Sequence, residues 1–145
     1  MTKTVQNESE EVLVNYFVLC DHVITEAVTN KQSLVGIYSA LMADQFPLHA
    51  DVAVALGIRV QSSRPRELRF HFSAPDGELL FPPLPLSCNW SSVDSALQAS
   101  GFATLQISLN LRSIPFGRAG VYNAALFCDS ALITTYPLSV LPAGT

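Results

Sequence analysis

Cys20-Asp21-His22 is the one place in the chain where a thiol, a carboxylate and an imidazole stand side by side. A cysteine nucleophile needs a base to take its proton and a third group to orient that base. Neighbours on an extended strand point to opposite faces, so Cys20 and Asp21 both reach His22 only if the chain turns there. The competing reading is a small buried thiol at a strand end, with Asp21 bonding its own backbone in a turn. The three histidines, His22, His49 and His71, are far apart and share no ligand spacing for a metal. Asp21, Asp44, Asp51, Asp76, Asp94 and Asp129 are each isolated, and none stands in the D-x-D spacing that gathers oxygens on calcium. There is no glycine-rich phosphate loop, no G-x-S-x-G and no H-E-x-x-H. No catalytic, metal-ligating or cofactor-binding residue is assigned, and no cofactor is expected.

Binding chemistry has more candidates. Trp90, the single tryptophan, follows Cys88-Asn89. An exposed ring there suits a sugar or a protein, whereas a buried one plugs an end of the fold. Arg59, Arg64, Arg66 and Arg69 are the nearest thing to a basic cluster, and His71 falls beside Arg69 on a polar strand face. Trp90, Arg59, Arg69 and His71 are therefore the candidate contacts to a partner or ligand. Only eight Lys and Arg stand against twelve Asp and Glu, for a net charge of −4. That balance argues against nucleic acid, which needs clustered cations to neutralise phosphates.

These residues need a scaffold, and 145 residues fit one domain. Charged residues make up 14% of the chain and apolar ones 49%, with a mean hydropathy of +0.31. The charged share is low against roughly 25% for an average soluble domain. Either a partner covers part of the surface, or the exposed faces use Ser, Thr, Asn and Gln instead. Three cysteines without close spacing argue against a disulfide framework. Residues 1–11 are polar and are expected to form a disordered leader before a single domain at 12–142. No apolar run is long enough to span a bilayer, and a cytoplasmic location follows by default.

Period-two alternation dominates the rest. Val52, Val54, Leu56, Ile58 and Val60 share one face of Val52–Gln61, with Ala53, Ala55, Gly57, Arg59 and Gln61 on the face expected to be wet. Leu68, Phe70 and Phe72 alternate with Arg69, His71 and Ser73, and Leu105, Ile107, Leu109 and Leu111 alternate with polar residues. This pattern predicts strands with one core face. More continuously apolar strands are predicted at Val12–Cys20, Ser33–Leu41, Gly120–Cys128 and Leu132–Leu141, the last an edge strand or bulged at Pro137. Pro75-Asp76-Gly77 predicts a hairpin returning through Glu78–Phe81, and Asp129-Ser130 predicts a second short turn. Phe81–Pro85 is expected to cross between sheets. Ser91–Gly101 predicts one short helix, capped by Ser91 or Ser92 and ended by Gly101. The sum is an all-β, two-sheet sandwich, immunoglobulin-like or C2-like, of about eight strands.

Leu19-Cys20-Asp21, then Lys31-Gln32-Ser33-Leu34-Val35-Gly36-Ile37-Tyr38, then Phe46-Pro47, resembles the opening of a family of bacterial and phage domains of unknown function. Pro75-Asp76-Gly77 is similar to that family's D-x-x-G hairpin. Phe116-Gly117-Arg118-Ala119-Gly120-Val121-Tyr122, with Ala125-Leu126-Phe127 and Pro137-Leu138-Ser139-Val140, is similar to its closing G-x-Y hairpin. Asn30 replaces the usual Gly before the Lys, and Ser130-Ala131 replaces a D-G turn. The resemblance covers most of Val12 to Pro142 and implies a β-sandwich without implying an activity. The residues themselves suggest that Gly36 permits a bulge or close packing, and that Tyr122 anchors a tyrosine corner.

The function expected from these residues is a non-enzymatic interaction module that binds a protein partner or itself. The alternative is a loop-based carbohydrate- or calcium-dependent binder. A cysteine-dependent enzyme comes third.

Overall fold

A computed structural model describes residues 12–144, so the polar leader at 1–11 lies outside the described residues. The alternating segments form strands whose apolar faces meet. The strands are β1 (Val12–Thr25), β2 (Gln32–Ile37), β3 (Ala40–Ala43), β4 (Leu48–Val60), β5 (Leu68–Ser73), β6 (Leu84–Leu86), β7 (Ala103–Phe116), β8 (Gly120–Cys128) and β9 (Ala131–Pro142). A 3-10 turn at Trp90–Val93 leads into α1 (Asp94–Ser100). One sheet has the order β2-β1-β4-β7 and the other β3-β9-β8-β5-β6. Every strand pair is antiparallel except β3 with β9.

The core sits between the sheets. From the first come Phe17, Leu19, Val54, Leu56, Ile58 and Phe116, and from the second Leu68, Phe70, Phe72, Tyr122, Leu126 and Leu138. Edge-to-face rings link the layers: Phe17 meets Phe70 at 6.2 Å, Phe72 meets Phe116 at 6.0 Å, and Phe116 meets Tyr122 at 5.0 Å. Such pairs add about 0.5–1.5 kcal/mol each beyond area burial. Tyr122 forms the predicted corner, its hydroxyl donating to the Arg118 carbonyl at 2.7 Å.

Several expectations need correction. Ser33–Leu41 is two strands, because the chain crosses from one sheet to the other at Tyr38-Ser39. Glu78–Phe81 makes a single bridge, Ser73 to Leu79, and Pro82-Pro83, which lack N–H donors, follow directly. Leu84–Leu86 pairs with β5 instead, so the proline-rich stretch stays in its sheet and the helical segment makes the crossing. Neither Ser91 nor Ser92 caps the helix; the Ser92 hydroxyl donates back to the Asn89 carbonyl. Gly101 does end it, at φ 83°. Pro137 lies in a strand with neighbours on both sides, but β3 pairs only Ser139–Pro142, so β9 has a single partner at the proline.

The largest departure concerns β1. It continues past Cys20 to Thr25, and this second half pairs with β2 as a two-stranded ribbon. The ribbon folds back over the outer face of the four-stranded sheet. The Tyr16 hydroxyl donates to Gln32 Oε1, and Gln32 is paired with Thr25. A straight β1 would hold Thr25 roughly 30 Å from Tyr16 at 3.3 Å per residue. The small residues of β4 make room for this third layer. Ala53, Ala55 and Gly57 are buried, not wet, because the ribbon and the Tyr16 ring cover them.

Candidate functional site

The four candidate contacts do not converge. Arg59 is at one end of β4 on its outer face, with its guanidinium 5.2 Å from the Phe102 ring. Arg69 and His71 lie on the outer face of β5, in the other sheet. There Arg69 Nη2 meets Glu67 Oε2 at 2.9 Å, and the His71 ring lies tilted at 31° to Phe127 with ring centroids 4.2 Å apart. Trp90 starts the 3-10 turn half-buried against the core, with the Arg66 guanidinium 5.1 Å from its ring. Arg64 meets Asp129 at 3.5 Å. The arginines that sit close in sequence are thus spread over β4, the loop after it and β5, and all four engage acidic or aromatic side chains.

Cys20-Asp21-His22 marks the bend where the ribbon leaves the sheet. Cys20 is fully buried, and its thiol donates to the His22 carbonyl at 3.4 Å, not to the imidazole. Burial, reinforced by the Asp21 carboxylate, pushes the Cys20 thiol up. Asp21 accepts from the Tyr38 hydroxyl. Burial first, and then that carboxylate, pushes Tyr38 up to about 12. Gly36 is shaped by the same bend: at φ 71° it lies against Asp21, whose Cγ would come within 2.9 Å of a Cβ. This is the close approach that its place in the strand suggested. Asp51, on the neighbouring wall with His22, accepts from the Ser113 N–H at 2.8 Å and holds the bulge where β4 and β7 shift register. Among the described residues, no three of His, Cys, Asp and Glu come together as a metal site.

The ribbon itself offers a different surface. Register pairs Thr25 with Gln32, Val23 with Leu34, Ile24 with Ser33 and His22 with Val35. Val23, Leu34 and Gln32 are half-buried toward the sheet. The opposite face holds Ile24, Val35 and Ile37, exposed at 53%, 44% and 58%, and Val28 at the tip is 94% exposed. Between the ribbon tip and β7 runs a groove of about 420 Å³, lined by Lys31, Gln32, Thr104, Gln106 and Ser108 among others. The sequence held a signal for this face. Ser33–Ile37 is apolar on both of its sides, the pattern of a strand covered twice, yet this chain covers it once.

Two packed sheets bearing a folded-over ribbon, with the sequence's candidate contacts scattered over both, define a β-sandwich domain with an exposed apolar face on its ribbon. The chain belongs to the Family of unknown function (DUF6941), whose model matches residues 15–141 and so takes in nearly all of β1 and the rest of the sandwich through β9. No curated protein matches it.

Proposed function

We propose that this domain is a non-enzymatic interaction module that binds a protein partner through the outward face of its β1–β2 ribbon. The carrying observation is the trio Ile24, Val35 and Ile37, side by side on one face and each about half exposed. Apolar side chains grouped on a raised element gain free energy when a partner covers them. The low charged fraction agrees with a surface made to be covered. The loop-ligand alternative has less behind it, since the Trp90 ring is packed against the core and Arg66. The cysteine-enzyme reading relies on a thiol that is buried and held protonated.

The test is affinity capture from the native host with wild-type protein and with Val35→Asp/Ile37→Asp. Both positions are exposed, so the variant keeps its far-UV circular dichroism. A stoichiometric partner should follow the wild type, be lost with the ribbon variant, and be retained by Arg69→Ala on the opposite sheet. A partner indifferent to the ribbon substitutions removes the proposal.

A further inference from the structure

Among the described residues, the four-stranded sheet ends at β7 and no strand pairs with its far side. β7 is 14 residues long, and among the described residues its one strand partner is β4. No backbone hydrogen bond among the described residues reaches it from another element. The Phe81–Leu84 segment flanks Asn110–Ile114, so the open stretch is Ala103–Asn110. Long open edges are normally guarded by lysine, proline, a bulge, an inward charge or a covering helix or loop. The 3-10 turn and α1, which lead into β7 at Ala103, lie beside it, but Ala103–Asn110 carries no guard of its own: it contains no charged residue and no proline, and its pairing with β4 is regular from Ala103 to Leu111.

We propose that β7 pairs antiparallel with β7 of a second copy of this chain, about a two-fold axis through Ile107. The argument is the strand's symmetry in residue type. Antiparallel pairing centred on Ile107 sets Leu105 against Leu109, Gln106 against Ser108 and Thr104 against Asn110, by arithmetic on the sequence. A two-fold interface needs the same patch to complement itself, with residue i meeting j and j meeting i. Here apolar meets apolar on the inner face and neutral polar meets neutral polar on the outer face, and no like charges oppose each other. Leu105, Ile107 and Leu109 are only half-buried where the single chain leaves them. Their counterparts on the second copy cover them. The result is one eight-stranded sheet across the dimer. The proposal goes beyond the ribbon reading and uses the backbone edge of β7 in place of the outward side chains of the ribbon, whose tip borders β7 across the groove.

Two variants test it by sedimentation velocity over a concentration series. Thr104→Lys/Asn110→Lys sets ammonium against ammonium across the axis, and Thr104→Glu/Asn110→Glu sets carboxylate against carboxylate. Wild-type protein should sediment as a dimer at high concentration. Each variant alone, its circular dichroism unchanged, should raise the dissociation constant about ten-fold. Mixing the two variants should restore association as a heterodimer. Wild type that stays monomeric overturns the proposal, as does a dimer indifferent to the charges or variants that fail to recover on mixing. The ribbon variant Val35→Asp/Ile37→Asp should dimerise like wild type, which keeps failure here separate from failure of the ribbon proposal.

Discussion

Gly57 shows how one missing side chain shapes this molecule. A Cβ there would meet the Tyr16 ring, with Cζ only 2.7 Å away. The flat ring therefore lies across β4, where its hydroxyl donates to Gln32 and it also bonds the Gln106 side chain. Gly57→Ala should destabilise the domain by about 1–3 kcal/mol, the usual penalty for overpacking a filled site, measured as a lower denaturation midpoint. Tyr38 gives a pH prediction. Its folded value of about 12 lies above the ordinary 10.0, so folding favours the protonated phenol. That contribution is complete below pH 10 and is lost as pH climbs toward 12. Burial also raises Tyr16 and Tyr136, so tyrosinate absorbance should show several late steps, of which Tyr38→Phe removes the last and Asp21→Asn brings that last midpoint down. A Tyr38 that titrates at the ordinary value would contradict the bend geometry.

Strands with one covered face were legible, and strands whose second face depends on distant chain were not. Gly120–Cys128 is a strand with the bounds its apolar run predicts, and Asp129-Ser130 is the turn that follows it. Both turn residues have positive φ, 50° and 73°, the pattern of the two-residue hairpin that favours Gly at the second position. Ser130→Gly should stabilise the hairpin by about 0.5–1 kcal/mol, seen as a raised melting temperature. Asp129 is better left alone, since its carboxylate accepts from the Glu67 N–H. The ribbon, by contrast, has no local turn signal at Cys20-Asp21. Its fold-back is set by Tyr16 reaching Gln32 and by the small residues of β4, contacts that pattern reading along the chain does not see. Ala53 and Ala55 looked solvent-facing for that reason, and the apolar pair Val35 and Ile37 looked like core.

For the whole molecule, sparse charge becomes a statement about two surfaces of one sheet. The ribbon turns its apolar face outward above the sheet, its tip bordering β7 across the groove, and β7 leaves an uncharged edge over Ala103–Asn110. Val35→Asp/Ile37→Asp and the β7 charge variants alter each one independently, so a partner and a second copy can be assigned to separate surfaces. The candidate contacts read from sequence, Trp90, Arg59, Arg69 and His71, belong to neither surface as a group, because charge and aromaticity along the chain do not report which sheet a residue joins.

The parallel pairing of Ala40–Ala43 with Ser139–Pro142 has a consequence in time. A ribosome delivers the first eight strands before β9 exists, so β3 waits through almost a hundred residues of synthesis with its edge bare. Until β9 arrives, the Tyr136 hydroxyl has no way to reach the Tyr38 carbonyl, and the five-stranded sheet has nothing to join β3 to β8. A nascent chain stalled before Ala131 therefore carries a half-closed sandwich, and that interval is when a holding chaperone would matter most.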